Sequence, residues 1–155
     1  MDQRSASQSR PEASEGAYAR PGAKRTILVV EDSPTDLFVI TEVIQKANVD
    51  LNVQVVKDGQ EALLYLEQVA GADRCPVLVL LDLNLPKISG IEVLRRLRGC
   101  VRCNQTPVIV VTSSSADGDR AAAKRLGAEE YFQKPNDLDA YMQLAQIIRR
   151  VLNVT

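Results

Sequence analysis

The sequence lacks histidine and tryptophan, and it contains only two phenylalanines and four tyrosines among 155 residues. Without histidine the chain has no Ser-His-Asp triad, no H-E-x-x-H zinc site and no histidine phosphotransfer of its own. The 19 basic and 20 acidic residues nearly cancel, so no excess of positive charge indicates nucleic-acid binding. No apolar run is long enough to span a bilayer. We therefore expect a globular chain that binds neither nucleic acid nor membrane.

The first 25 residues differ in composition from the rest, with no Ile, Leu, Val or Phe and much Ser, Ala, Arg, Gly and Pro. Such a segment buries too little apolar surface to offset the entropy of ordering, and it lacks the apolar core of a signal peptide. We predict a disordered tail over residues 1–25, one folded domain over residues 26–153, and a cytoplasmic location.

Three cysteines are present, an odd and small number that is typical of a reducing compartment. Cys100 and Cys103 have the C-x-x-C spacing of redox and zinc sites. A zinc site needs two more ligands, and the chain has neither a second such pair nor a histidine. A redox pair normally opens a helix after a strand, whereas this pair follows a predicted helix. The favoured interpretation is surface thiols in a connecting loop.

Five apolar runs alternate with amphipathic segments that begin at typical helix caps. The runs predict strands at 26–30, 53–56, 77–81, 108–112 and 130–133. The amphipathic segments predict helices from Ser33 to about Asn48, from Asp58 through Val69, at 89–98, at 117–126, and from Asn136 to about Leu152. The short connections favour right-handed βαβ crossovers. We predict an α/β fold, (βα)₅, in which a doubly wound, five-stranded parallel sheet lies between two helix layers.

Polar side chains follow four of the predicted strands, at the point where each strand ends. They are Glu31 and Asp32, Asp82, Thr112 and Ser113, and Lys134. Open parallel sheets bind ligands at the carboxyl ends of their strands. We therefore expect these residues to form one site.

The acids of this set suit phosphoryl transfer, because an aspartate carboxylate can form a covalent phosphoryl intermediate. Asp32 and Asp82, with the backbone carbonyl of Asn84, would offer hard oxygens to Mg²⁺. Glu31 would act through a bound water. A plainer explanation of Glu31 and Asp32 taken alone is charge complementarity to a helix N-terminus.

The remaining members would stabilise the phosphoryl group. Lys134 would supply a cation to the phosphoryl oxygens, and Thr112 a hydrogen bond from its hydroxyl. Taken alone, Lys134 is equally consistent with an ordinary solvated lysine. The predicted convergence of all these residues at strand ends favours the functional interpretation.

Together these residues resemble the receiver domain of two-component response regulators. The resemblance rests on Glu31-Asp32, Asp82, Asn84, Pro86-Lys87, Thr112, Tyr131 and Lys134-Pro135, and it covers about residues 25–153. It implies a flavodoxin-like sheet of strand order 2-1-3-4-5. It also implies that Asp82 accepts a phosphoryl group from a sensor histidine kinase in a Mg²⁺-dependent step of a phosphorelay. The chain would then be a signalling protein rather than an enzyme, acting on a downstream target that the sequence does not identify.

The resemblance also has implications for the conformational change on phosphorylation, for the peptide bond before Pro135 and for the partner kinase. It implies that Tyr131 rotates inward when Thr112 moves toward the phosphate. It also implies a cis peptide bond before Pro135, which would direct the Lys134 amine into the site. The stretch 81–87 is most similar to stand-alone receivers paired with bacterial phytochrome kinases.

Two other functions fit parts of the pattern. Aspartate-nucleophile phosphohydrolases of the haloacid-dehalogenase type have an Asp-x-Asp motif at the nucleophile, whereas this chain has Asn84 in place of the second aspartate. The chain also has no insertion large enough for the cap of such an enzyme. A receiver-like module that only binds proteins usually lacks the acceptor, the metal acids or the lysine, and all of these are present.

The last predicted helix has a wider apolar face than a surface helix needs. Its core-facing stripe comprises Leu138, Tyr141, Met142, Ala145, Ile148 and Leu152. Leu144, Ile147 and Val151 widen this stripe, and we predict that a second copy of the chain covers them in a homodimer. The alternative is cover by the chain's own C-terminal residues, including Val154.

Overall fold

The computed structural model describes residues 25–154, and the predicted tail therefore lies, apart from Arg25, outside the described residues. The strands are β1 (Thr26–Val30), β2 (Asn52–Val56), β3 (Leu78–Leu81), β4 (Val108–Thr112) and β5 (Glu130–Gln133). The helices are α1 (Pro34–Ala47), α2 (Gly59–Gly71), α3 (Gly90–Arg98), α4 (Asp117–Arg125), α5 (Leu138–Tyr141) and α6 (Leu144–Val151). None of these helices is long and apolar enough to cross a membrane.

The strands form one parallel sheet in the order β2-β1-β3-β4-β5, which confirms the predicted flavodoxin-like topology. Strand β1 pairs with β2 on one side and with β3 on the other, so that Val30 lies opposite both Val56 and Leu81. The strand order reverses at this point, and such a reversal opens a crevice at the carboxyl ends of the strands. The crevice lies between the residues that follow Val30 and those that follow Leu81.

Helices cover both faces of the sheet because alternate residues of each strand point to opposite faces. On one face, Leu28, Val30 and Val79 pack with buried residues of α2, α3 and α4. On the other face, Ile27 and Val29 pack with buried residues of α1, α5 and α6. Strands β1, β3 and β4 are buried on both faces, as their unbroken apolar runs predict.

Side-chain caps begin two of the helices next to the crevice. Ser33 Oγ accepts a hydrogen bond from Asp36 N at 3.3 Å at the start of α1. Asp58 Oδ1 accepts one from Glu61 N at 2.8 Å at the start of α2. These caps satisfy backbone donors that have no partner within the helix. The first cap leaves only two residues between the end of β1 and Ser33, which keeps Glu31 and Asp32 at the rim of the sheet.

The terminal helix differs from the prediction, because Met142 and Gln143 divide it into α5 and α6. The amide of Ala145 donates to the carbonyl of Met142 at 3.0 Å, three residues back, which is the spacing of a 3₁₀ turn. Such a turn has three residues per turn instead of 3.6 and therefore rotates α6 relative to α5. Leu144, three residues after the buried Tyr141, is fully buried on the same side of the terminal segment, whereas Leu138 of the predicted stripe is 56% exposed.

The burial of Leu144 also changes the predicted dimer surface. Leu144 is wrong as a surface candidate, because it lies in the core of its own chain. Ile147 and Val151 are half-buried and pack against the same cluster. Helix α1 packs against α6, and Arg149 Nη1 donates to the carbonyl of Ala47 at 2.7 Å. The chain's own first helix therefore covers much of the arc that we assigned to a second copy or to the C-terminal residues.

The cysteines also differ from the prediction. Cys75 and Cys103 form a disulfide, and Cys103 is 1% exposed, so the interpretation of surface thiols is wrong for this residue. Cys100, its C-x-x-C partner, is half-buried and free. Cys75 precedes β3 and Cys103 precedes β4. Because these strands are parallel neighbours, their preceding loops lie at the same edge of the sheet, which brings together two cysteines that are distant in sequence.

Candidate functional site

The sheet brings the predicted polar residues to one edge through its backbone hydrogen bonds. Asp82 N donates to Val30 O at 3.1 Å, and Lys134 N donates to Thr112 O at 2.8 Å. The pairing of β1 with β3 and of β4 with β5 thus continues one residue past the end of each strand. This continuation places Asp82 and Lys134 at the carboxyl rim of the sheet.

Lys134 is the centre of the site. Its Nζ lies 2.8 Å from Glu31 Oε1, 3.1 Å from Asp82 Oδ2 and 3.0 Å from Asp36 Oδ2. An ammonium group has three hydrogens and no acceptor, so three carboxylates use its full donor capacity. The lysine side chain is only 8% exposed, and the interpretation as an ordinary solvated lysine is therefore wrong.

The peptide bond before Pro135 differs from the expectation. No peptide bond between residues 25 and 154 is cis, so the predicted cis bond is wrong for this structure. The lysine nevertheless reaches the site, because the Thr112 carbonyl holds the Lys134 backbone beside β4 and the long side chain spans the remaining distance.

Burial controls the charge of Glu31, whose side chain is 1% exposed. Desolvation raises the pKa of Glu31 to about 7, and the negative charge of Asp82 adds to this effect while Lys134 opposes it. Desolvation alone would lower the pKa of Lys134. The hydrogen bond to Glu31 and the charges of Asp82 and Glu31 outweigh it, so that the pKa of the lysine lies above its ordinary value. Lys134 therefore stays protonated at neutral pH, whereas Glu31 takes up a proton as the pH falls through about 7.

Glu31, Asp32 and Asp82 also form a cluster that suits a divalent cation, because one oxygen of each lies within 4.8 Å of the others. Glu31 and Asp82 are buried and Asp32 is exposed, so the cluster opens to solvent on one side. Carboxylate oxygens are the ligands that Mg²⁺ prefers in proteins. The backbone N–H of Asn84 donates to Asp82 Oδ1 at 3.1 Å and orients this carboxylate. The role of the Asn84 carbonyl as a ligand stays a prediction.

Thr112 and Ser113 lie at the end of β4 with different surroundings. Thr112 is 0% exposed, and its hydroxyl accepts a long hydrogen bond of 3.4 Å from the amide of Ser114. Ser113 is exposed. The buried threonine is thus hydrogen-bonded to the loop that leads into α4. A movement of its side chain would break this bond and free the loop to move.

Tyr131 contacts the same loop from β5. Its hydroxyl donates to the carbonyl of Ser114 at 3.0 Å, and the guanidinium carbon of Arg120 lies 4.3 Å from the centre of its ring. The ring is half-buried. A hydrogen bond and a cation–π contact therefore hold Tyr131 against the loop between β4 and α4.

Three contributors were missed by the sequence analysis. Asp36 gave no sign of a site, since an acid three residues after a capping serine is common in the first turn of a helix. Tyr141 was assigned only to the core stripe, although the charges of Lys134 and Asp36 act on its hydroxyl. Arg120 carried no signal, because an arginine on a polar helix face is usually solvated.

Comparisons with known proteins agree with this site. The family model of the response regulator receiver domain matches residues 27–146. The chain therefore belongs to the receiver domain family, a class of signalling phosphoacceptors in two-component systems rather than of conventional enzymes. This assignment favours the receiver over the phosphohydrolase that the sequence left as an alternative.

The chain is similar to several stand-alone members of this family. Response regulator Rcp1 from Synechocystis is 33% identical over 79% of this chain and 84% of its own length. Its Mn²⁺-bound structure has a TM-score of 0.72 and covers 81% of this chain and 91% of that chain. The structure of the phosphorylated cyanobacterial phytochrome response regulator RcpA is 34% identical, with a TM-score of 0.75, and covers 84% of this chain and 95% of that chain.

A Mg²⁺-bound relative is the receiver domain of the sensor histidine kinase PA1611 from Pseudomonas aeruginosa. It is 27% identical, with a TM-score of 0.68, and covers 84% of this chain and 99% of that chain. Divalent cations are thus present in receiver domains similar to this one, and the cluster of Glu31, Asp32 and Asp82 fits the same class of cofactor.

Proposed function

We propose that Asp82 is the phosphoacceptor and that it receives its phosphoryl group from the phosphohistidine of a sensor histidine kinase. The observation that carries this proposal is the position of the Asp82 carboxylate between the acids of β1 and the ammonium group of Lys134, 3.1 Å away. The transfer forms a bond between a carboxylate oxygen and phosphorus. It breaks the bond from phosphorus to the donor imidazole nitrogen, which keeps the electron pair.

The residues around Asp82 prepare it for this reaction. Glu31, Asp32 and Asp82, with the Asn84 carbonyl, would hold Mg²⁺, which when bound supplies positive charge against the carboxylates and the phosphoryl oxygens. The backbone N–H of Asn84 holds one carboxylate oxygen of Asp82 in place. Burial limits water around the acceptor, so that the fixed charges act in a medium of low dielectric constant.

Lys134 and Thr112 couple the phosphoryl group to the surface. Lys134 already contacts Asp82 and needs only a small movement to donate to a phosphoryl oxygen. The hydroxyl of Thr112 would leave the amide of Ser114 and turn toward the phosphoryl group, with Ser113 beside it. Tyr131 could then fill the space that Thr112 vacates. The surface of α4, β5 and the intervening residues is therefore the part that a downstream target would recognise.

The test is the intact mass of the protein after incubation with acetyl phosphate and Mg²⁺. Wild type should gain the mass of one phosphoryl group, and Asp82→Asn should gain none. Asp117→Asn, on the exposed first turn of α4, is the matched control and should be labelled like wild type. Equal labelling of Asp82→Asn would refute the assignment of the acceptor.

The partner kinase is of the phytochrome type in this proposal. The similarity to Rcp1 and to the phytochrome response regulator RcpA supports it, and such a kinase would place the chain in the cytoplasm. Phosphotransfer should be faster from a phytochrome-type histidine kinase than from an unrelated kinase with the same loading of phosphohistidine. Equal rates from both kinases would contradict this pairing.

A homodimer through the terminal helix stays a prediction for Ile147 and Val151 only. Both side chains are half-buried, so each keeps some apolar surface for a second copy. Light scattering should give twice the monomer mass for wild type and the monomer mass for a folded Ile147→Lys variant, because a charge would face its own copy across the two-fold axis. A monomeric wild type would contradict the dimer.

A further inference from the structure

Tyr141 carries a hydroxyl that the core does not need. The residue is 4% exposed, and its ring packs against Phe132 of β5 with 5.8 Å between ring centres. Within residues 25–154, its hydroxyl oxygen is the one buried side-chain nitrogen or oxygen atom without a hydrogen-bond partner. Buried polar groups are nearly always hydrogen-bonded, because an unpaired one loses its contacts with water and gains nothing. A phenylalanine would fill the same space without this loss.

Tyr141 packs close to the charged site, because its cluster includes Phe132, two residues before Lys134, and Leu37, next to Asp36. Burial raises the pKa of Tyr141, the charge of Lys134 opposes this shift, and the charges of Asp36, Glu31 and Asp82 add to it. Of these charges, those of Lys134 and Asp36 act most strongly on the hydroxyl.

The hydrogen bonds of Lys134 show when this hydroxyl would gain a partner. Glu31, Asp36 and Asp82 occupy all three hydrogens of the ammonium group. A bond from Lys134 to a phosphoryl oxygen must therefore replace one of these three. Glu31 and Asp82 belong to the cluster that suits a cation, whereas Asp36 does not. Asp36, whose side chain is 31% exposed while the other two carboxylates are buried, is thus the one that the lysine releases when it turns to the phosphoryl group.

We propose that Tyr141 is a positioning residue of the phosphorylated state, whose hydroxyl donates to the Asp36 carboxylate once Lys134 turns toward the phosphoryl group on Asp82. This inference rests on the proposed function of Asp82. The hydroxyl is unpaired before phosphorylation and paired after it. It therefore favours the phosphorylated form without touching the reacting atoms.

The test uses beryllofluoride with Mg²⁺ as a mimic of the phosphoryl group, with affinity measured by calorimetry. Tyr141→Phe should bind the mimic about tenfold more weakly than wild type, the effect of one hydrogen bond to a charged group. The same variant should melt at an equal or higher temperature than wild type in chelator, because it loses an unpaired hydroxyl. A merely structural role would not give these opposite effects. Tyr65→Phe, a half-buried tyrosine on the other face of the sheet, is the control and should bind like wild type.

A double-mutant cycle identifies the partner of the hydroxyl. In an Asp36→Ala background, Tyr141→Phe should no longer change the affinity for the mimic, because the acceptor is gone. An unchanged affinity of Tyr141→Phe, or an equal loss with and without Asp36, would overturn the inference while leaving the role of Asp82 intact. A wild-type protein that neither binds the mimic nor takes up phosphate would instead refute the proposed function, and the inference would fall with it.

Discussion

The guanidinium group of Arg120 covers the ring of Tyr131, with 4.3 Å between its central carbon and the ring centre. The Tyr131 hydroxyl simultaneously donates to the Ser114 carbonyl at 3.0 Å. A cation–π contact at an exposed site stabilises by about 0.5–1 kcal/mol, and such a hydrogen bond contributes about the same. Together these contacts hold the ring against the loop between β4 and α4.

Arg120→Gln should weaken this restraint and shift the ring of Tyr131 away from the orientation in which it contacts Ser114. The loss of about 0.5–1 kcal/mol corresponds to a change of about two- to fivefold in the ratio of the two orientations. The measurement is the ring signals of Tyr131 by NMR, with and without beryllofluoride. Arg125→Gln, exposed on the same helix, should leave these signals unchanged. Identical Tyr131 signals in wild type and Arg120→Gln would show that the arginine does not control the ring.

Lys134→Ala should destabilise the metal-free protein, because the buried carboxylates of Glu31 and Asp82 lose their cation. Removal of one partner from a buried ion pair costs about 3–5 kcal/mol, and protonation of Glu31 should reduce the loss below neutral pH. Urea unfolding in chelator and in Mg²⁺ measures it, and Mg²⁺ should restore part of the stability. Lys124→Ala, exposed on α4, is the control. Lys134→Ala should still be phosphorylated, although slowly. An unfolding free energy equal to that of wild type in chelator would contradict the central position of Lys134.

Glu31 should make the stability of the metal-free protein depend on pH. Its pKa of about 7 in the folded state lies above the ordinary value of 4.5, so the folded state binds more protons than the unfolded state between these two values. Stability should therefore increase as the pH falls from about 7 toward about 4.5. Glu31→Gln should remove this slope and raise the stability above pH 7, as measured by urea unfolding from about pH 8 to about pH 5. Glu67→Gln, exposed on α2, should keep the wild-type slope, and a flat wild-type profile would be inconsistent with a buried, protonatable Glu31.

Gly90→Ala should distort the loop that carries Asp82. A Cβ atom at this position would lie 2.2 Å from the Asp82 carbonyl oxygen and 2.6 Å from Leu83 Cα, and backbone atoms cannot yield as a flexible side chain does. We expect a loss of at least about 1–3 kcal/mol in unfolding free energy and slower phosphorylation. Gly118→Ala within α4 meets nothing within 4 Å, and this control should stabilise by about 0.5–1 kcal/mol. Equal stabilities of the two variants would show that the close approach at Gly90 is not required.

The disulfide between Cys75 and Cys103 predicts that only Cys100 reacts with a thiol reagent under denaturing, non-reducing conditions. A bridge that closes a loop of 28 residues should stabilise the folded state by about 3–4 kcal/mol, so a reductant should lower the melting temperature. Cys100→Ser should show the same response to reductant. Three reactive thiols in protein purified without reductant would mean that the two sulfurs are not bonded, as in a reducing compartment.

The sequence by itself determined the number of strands and their parallel direction, whereas the order of the strands was implied by the resemblance to receiver domains. Strands such as Val108–Thr112 are unbroken apolar runs that stop at polar residues, and the short amphipathic segments between them allow little except right-handed crossovers. The acids after β1 and β3 could be assigned to one rim for the same reason, because the carboxyl ends of parallel strands meet at one edge. Local pattern and chain connectivity are sufficient for these conclusions.

Only the tertiary structure decided which side chains meet across large separations in sequence. The three bonds of Lys134 include one to Asp36, 98 residues away, and no local pattern distinguishes an ordinary acid in the first turn of a helix from one that also binds a distant lysine. Leu144 was predicted on a dimer surface but lies in the core, in one cluster with Ile40 and Val43 of α1. The disulfide and the contact of Arg120 with Tyr131 are likewise set by how neighbouring loops and helices pack. Side-chain partners of this kind depend on distances between elements, which the periodicity of a sequence does not contain.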